Sequence, residues 1–226
     1  MKPRRLRSFV RRDSRRTDTQ KEAYDRLWPY FGLSPDKFDC QQVFGRKAPC
    51  YLEIGFGSGQ SLFALAKLHP EINFIGIETY KSGIGTLFME IETAELTNVR
   101  VYDGDAVDFF QNCLHDATLD RVQIFFPDPW QKRRHHARRL IQSEFVQLLI
   151  QKSKRGAELH LATDWQDYAM HMMKVLSSDR SLSNMAGEAQ FAERSNGRPV
   201  ITKFEQRAKK EGRSTWELQF AIISCE

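Results

Sequence analysis

The sequence predicts a doubly wound α/β fold: a mostly parallel sheet with a late antiparallel strand, flanked by helices. Two observations carry this. From Cys50 onward, short apolar runs alternate with segments of helical period, the pattern of a parallel sheet covered by helices. Glycines and acids cluster where the apolar runs end, and open α/β sheets bind ligands at that edge. With 226 residues, 41% of them hydrophobic, the chain can fill one large core and is too apolar to be largely disordered.

The chain divides into a basic flexible arm, residues 1–19, and a single domain, 20–226. The first 16 residues hold eight Lys or Arg against Asp13, a local charge of +7. The whole chain carries +5, so the remainder is slightly acidic and the arm alone points to an anionic partner such as a phosphate backbone. A solvated tail and an organellar transit peptide are the other readings of such a start. No apolar stretch follows that would serve a signal peptide or a membrane span, so a cytoplasmic protein with no membrane partner is expected. Cys40, Cys50, Cys113 and Cys225 are scattered without metal-ligand spacing, which predicts neither disulfides nor a metal.

Residues 20–31 should form a helix with Tyr24, Leu27, Trp28 and Phe31 on one face. Strands are expected at 50–54, 73–78, 99–103, 122–126 and 158–162. Helices are expected at 61–68, 83–96, 143–153 and 165–176. The polar stretch 198–213 reads as a functional loop feeding a last, antiparallel strand at 215–223.

The first strand runs into Glu53-Ile54-Gly55-Phe56-Gly57-Ser58-Gly59, where glycines let the backbone turn sharply against a ligand. Glu78 closes the second strand, where an acid can accept hydrogen bonds from ribose hydroxyls. Asp105, next to Ala106, follows the third strand, placed to meet the exocyclic amine of adenine. Each acid alone reads equally well as a helix cap or turn residue. Three such features at the ends of consecutive strands argue for a nucleoside cofactor. A dinucleotide fingerprint needs glycine at residue 60, which is Gln60, so NAD is disfavoured. The acid-x-Gly-x-Gly-x-Gly pattern instead resembles the first motif of class I S-adenosylmethionine methyltransferases.

The fourth strand leads into Phe126-Pro127-Asp128-Pro129-Trp130, followed by Gln131-Lys132-Arg133-Arg134-His135-His136-Ala137-Arg138-Arg139-Leu140. An Asp between two prolines has a stiff backbone and a carboxylate held in place. Trp130 offers a stacking face, and the basic run offers phosphate contacts. A turn, a core Trp and a solvated basic face are the plain readings of these residues taken singly.

The stretch 126–140 resembles the signature of the TrmB-type tRNA (guanine-N7)-methyltransferases. So do Arg7-Ser8-Phe9-Val10-Arg11-Arg12, Gly76-Ile77-Glu78, Thr163-Asp164, and Thr202-Lys203-Phe204-Glu205 ahead of Trp216. The resemblance covers nearly the whole chain and implies a Rossmann-like class I methyltransferase that forms 7-methylguanosine in the tRNA variable loop. By that resemblance Glu53, Gly55, Gly57, Gly59, Glu78, Asp105, Ala106 and Asp128 hold S-adenosylmethionine, and Asp128 is the active-site acid. Lys132, Asp164, Thr202, Lys203, Phe204 and Glu205 bind substrate, while Arg134, His135, His136, Arg138, Arg139, Arg11 and Arg12 touch RNA. It also implies a monomer or homodimer with no obligatory protein partner. Gln131, Ala208, Arg213 and Glu217 depart from the family's usual pattern. The competing readings are a methyltransferase acting on a small molecule or protein, and a non-catalytic RNA-binding module on the same fold.

Overall fold

The computed structural model describes residues 8, 16–194 and 198–224. Its core is one seven-stranded sheet made of β1 (Cys50–Ile54), β2 (Asn73–Glu78), β3 (Val99–Asp103), β4 (Leu119–Phe125), β5 (Ser153–Thr163), β6 (Leu182–Asn184) and β7 (Trp216–Ile222). The strands lie in the order β3-β2-β1-β4-β5-β7-β6. The first five are parallel, and β7 runs antiparallel to both β5 and β6. The order reverses beside β1, so the carboxyl ends of β1 and β4 flank a crevice, the usual ligand position of an open α/β sheet.

Helices α3 (Gln60–Leu68) and α4 (Lys81–Thr93) pack on one face together with α1 (Asp18–Phe31), around Leu62, Leu65, Ile84, Leu87, Phe88 and Ile91. On the other face α5 (Ala106–Asn112), α6 (Ser143–Lys152) and α7 (Gln166–Ser177) cover Phe109, Phe110, Phe145, Leu149, Tyr168 and Met172. Both faces are covered, which is why the central strands read as unbroken apolar runs rather than alternating ones.

Helix α1 begins with a Thr17–Gln20 capping box, two residues earlier than its apolar face predicts. Its aromatic stripe meets Phe88 of α4, with the rings of Tyr24, Trp28 and Phe31 centred 6.2, 6.3 and 5.9 Å from it. The Tyr24 hydroxyl donates to Asp103 at 2.8 Å, fixing α1 to the outer strand β3. The root of the arm is thereby held against α4 and the outer strand β3.

The predicted strands at 50–54, 73–78 and 99–103 are observed with those bounds. Four differences have local causes. Strand β4 starts at Leu119, through an irregular register beside Ser153, and stops before Phe126, which turns left-handed. Strand β5 starts earlier than expected because its first turn is polar. The short α2 (Cys40–Phe44) and β6 lack a readable apolar period. Finally, the predicted loop 198–213 contains α8 (Lys203–Lys210). Only Glu205 and Ala208 of that helix are buried, so it shows no apolar stripe. It forms through the Thr202 cap on the Glu205 amide, and Arg207 and Glu211 pair across one turn just past it.

Among the described residues no helix is long and apolar enough to cross a membrane, and no group of three or more His, Cys, Asp or Glu is placed to hold a metal ion.

Candidate active site at the carboxyl edge of the sheet

Between β1 and α3 the chain turns through Gly55, Gly57 and Gly59 with φ of 73, 61 and 85°, left-handed values that a side chain would oppose. A Cβ on Gly55 would meet only open space, so the turn presents bare backbone to a ligand. The turn is braced from behind by Gly83 of α4, where a Cβ would lie 1.9 Å from the Gly57 carbonyl oxygen. Only glycine permits that contact. A single sequence offers no sign of it beyond Gly83 itself.

Glu78 reaches back across the turn. Its carboxylate accepts from the Gly57 amide at 2.7 Å and from the Thr79 and Tyr80 amides at 2.6 and 3.0 Å. Burial raises its pKa above the ordinary carboxylate value, against those backbone donors. Glu53 lies deeper, 3% exposed, and its Oε2 has no hydrogen-bond partner among the described residues. Burial pushes its carboxyl up to about 8; the neighbouring Glu78 charge adds to the rise and Arg198 opposes it. A buried acceptor without a donor, beside bare glycine backbone, suits a ligand that brings donors and positive charge. Asp105 caps α5, accepting from the Val107 and Asp108 amides at 2.8 and 3.3 Å, with Ala106 opening that helix beside it. The structure therefore brings Glu53, Glu78, Asp105 and the three glycines to one edge, and they fit a nucleoside cofactor bearing a cationic tail.

Across the crevice the chain leaves β4 through Phe126 with φ 53° and leaves the Pro-Asp-Pro turn through Trp130 with φ 46°. Aromatic residues seldom adopt this region, at roughly 1–3 kcal/mol each. Two prolines and two left-handed aromatics thus bracket Asp128. The Arg139 guanidinium fastens the turn, donating from Nε to the Pro129 carbonyl at 3.0 Å while pairing with Asp167 and lying 4.8 Å from the Tyr168 ring centre.

Asp128, Pro129, Trp130, Gln131, Lys132 and His135 line an open surface pocket. Lys132 and Arg134 are exposed, with Arg134 in the short 3-10 segment Arg133–Arg138. Burial, and then the charges of Arg138, Arg134 and Lys132, lower the His135 pKa, so near neutral pH this imidazole is an uncharged hydrogen-bonding group. Trp130 is already engaged: the Arg138 guanidinium lies 4.9 Å from its ring centre, and its Nε1 donates to the Ser8 carbonyl at 3.0 Å. That contact brings a residue of the arm to the mouth of the pocket.

Three expected contact residues have partners within the protein. Arg139, grouped with the RNA-contacting run, has its side chain buried in the anchoring just described. Glu205, expected to bind substrate, is buried between Arg194 and Arg198. Thr202 serves as the α8 cap. Of the other residues expected on the substrate side, Asp164 pairs with Arg213 at 2.7 Å, while Lys203 and Phe204 stay exposed. His136 lies 3.7 Å from Asp167, behind the pocket. Arg11 and Arg12 lie outside the described residues.

A family model described as a putative methyltransferase matches residues 47–218. A tRNA (guanine-N(7)-)-methyltransferase of Idiomarina loihiensis is 48% identical over 95% of this chain and 88% of its own length. One from Marinobacter nauticus is 49% identical over 95% and 91%. The chain belongs to the tRNA (guanine-N7-)-methyltransferase family. Among solved structures, the 16S rRNA methyltransferase KamB superposes with a TM-score of 0.57 at 11% identity, covering 97% of this chain and 99% of its own. A 30S ribosomal A1408 methyltransferase from an uncultured bacterium gives 0.56 at 14%, covering 85% and 98%. At that identity the likeness establishes the class I methyltransferase fold and nothing finer. The cofactor of such a methyltransferase is S-adenosylmethionine.

Proposed function

We propose that this chain methylates N7 of a guanine in the variable loop of tRNA, with Asp128 as the active-site acid. The observation that carries the residue assignment is the locked Phe126–Trp130 turn, which fixes one carboxylate at the crevice opposite the glycine turn.

When bound, S-adenosylmethionine supplies an electrophilic methyl group on a sulfonium. Glu53, Glu78, Asp105 and Ala106, with the backbone of Gly55, Gly57 and Gly59, would hold it. Guanine N7 is a neutral lone pair with no proton to lose before attack, so the protein needs to supply position rather than a strong base. Positive charge grows on the purine during transfer, and a fixed carboxylate facing the Watson–Crick edge offsets it while accepting the guanine N–H groups. Asp128 suits this role because the locked turn holds it in the lining of the pocket. Lys132 lines this pocket, Arg138 lies over its Trp130 and Arg134 is exposed in the same segment; all three are assigned as phosphate contacts. tRNA is thus the expected macromolecular partner.

The test is methyl transfer from labelled S-adenosylmethionine to unmodified tRNA, with nucleoside analysis of the product and mapping of the modified position. Wild type should yield 7-methylguanosine in the variable loop, and deletion of residues 1–16 should weaken tRNA binding most at low salt. Cofactor binding without methylation of any RNA would move the substrate to a small molecule or protein.

A further inference from the structure

One buried cation, Arg198, joins three elements on the β4–β5–β7 side of the crevice. It is 1% exposed, lies between α8 and the sheet, and is paired with Glu205 of α8 and Glu217 of β7. The opposite oxygen of Glu205 accepts from Arg194 at 3.0 Å, and that of Glu217 meets His160 Nε2 at 2.8 Å. The guanidinium carbon also sits 5.2 Å from the ring centres of Phe125 and Phe126, at the end of β4. Each acid is therefore held from two sides, and Arg198 is the group shared by α8, β7 and the start of the Phe126–Trp130 turn.

The residue before Glu205 is Phe204, which is 50% exposed. Its ring lies nearly parallel to that of Phe126, with planes 18° apart and centres 6.5 Å apart. Its edge comes within 3.6 Å of where a Cβ on Gly57 would lie. The spacing is near the far end of the roughly 4.5–7 Å range over which two rings pair directly, so these rings pack on each other only loosely. An exposed aromatic at that spacing, facing the glycine turn on one side and the Asp128 turn on the other, suits a planar guest. Enzymes acting on a base taken out of its stack commonly hold it against aromatic rings.

We propose that Arg198 is a positioning residue for methyl transfer, setting through Glu205 and Phe126 the aromatic slot between Phe126 and Phe204 that receives the target base. The inference rests on the tRNA-methylating reading above. It concerns a residue that touches neither ligand: Arg198 acts by holding the two rings at a fixed separation. The two acids oppose its charge inside the protein, so a neutral replacement would leave each buried carboxylate with one partner fewer and destabilise the region. Lysine keeps the charge but loses the planar fork that binds both acids at once.

The experiment compares wild type, Arg198→Lys, Phe204→Leu and the double variant by melting temperature, S-adenosylmethionine affinity, tRNA affinity with S-adenosylhomocysteine present, and steady-state methylation. Phe204→Leu keeps apolar bulk and removes the ring, so tRNA kcat/KM should fall about 5- to 150-fold, the range for loss of one base–aromatic stack. S-adenosylmethionine affinity should change less than about threefold. Arg198→Lys should lower kcat/KM to a similar degree at a melting temperature close to wild type. The double variant should be little worse than either single one, because both remove the same slot. Multiplying losses in the double variant, or wild-type kcat/KM in Arg198→Lys, would overturn the proposal. Should Arg198→Lys fail to fold, Glu205→Gln removes the charge through which Arg198 holds α8 and carries the same prediction in the same cycle. A wild-type protein that methylates no tRNA would sink the functional reading instead, a result distinguishable from failure of the slot.

Discussion

On the β1–β2–β3 side of the crevice the candidate binding groups are bare glycine backbone, backbone amides and the acids at the strand ends. Glu78 is 21 residues from the Gly57 amide it binds, and Asp105 caps the helix that follows it. On the β4–β5–β7 side the contacts are made by arginine side chains. Arg139 reaches back to Pro129 and forward to Asp167, Arg213 reaches Asp164, and Arg198 joins α8 to β7 and the end of β4. Under the proposed function, the first half suits one invariant small molecule; the second, tied together by ion pairs between separate elements, suits a larger and more variable guest.

That contrast can be broken in graded steps. The largest effect is expected from Asp128→Ala, which should lower kcat by about 100-fold or more, in line with loss of a transition-state electrostatic partner. S-adenosylmethionine affinity should stay nearly unchanged; an equal loss of affinity would place Asp128 on the cofactor half. Next is Gly83→Ala. Its Cβ would stand 1.9 Å from the Gly57 carbonyl, so α4 or the turn must move, and cofactor affinity should drop by about tenfold with a loss of roughly 2 kcal/mol in chemical denaturation.

Arg139→Met should lower kcat about tenfold by loosening the Pro129 carbonyl, yet leave the salt dependence of tRNA binding as in wild type. Arg134→Ala should do the reverse, reducing the salt slope by about one with little change in kcat. If Arg139→Met instead flattened the salt slope, its burial here would not describe the RNA-bound protein.

The smallest expected effect concerns protons. The folded pKa of Glu53 lies above its unfolded value, so between about 4.5 and about 8 the cofactor-free protein holds a proton that the unfolded chain has released. Its stability should therefore fall as pH rises through that window, and Glu53→Gln should flatten the slope. A cationic ligand favours the carboxylate, so S-adenosylmethionine binding near pH 7 should release up to about one proton. Calorimetry in buffers of different ionisation enthalpy would measure it, and no release would mean that Glu53 is already charged in the empty site.

The same contrast explains what could be read in advance. Strands β1 to β3, the glycine turn and its acids were legible because each is a local pattern, apolar run then glycine or acid. Helix α8 was not, since it is held by a cap and by the burial of Glu205 rather than by an apolar face. Arg139 and Arg138 are adjacent and chemically identical in sequence; only tertiary packing sends one under Tyr168 and the other onto Trp130. Arg198 is one more cation in a polar stretch until Glu217, 19 residues away, closes over it.

The left-handed Phe126 and Trp130 have a consequence for inheritance. The frame around the Pro-Asp-Pro turn is set in part by backbone conformation and by Arg139 on a neighbouring carbonyl. A lineage could exchange the residue at position 128, and with it the atom being modified, while keeping the fold, the cofactor and the approach of the substrate. What descends with least change in such a protein is the mounting rather than the tool it carries.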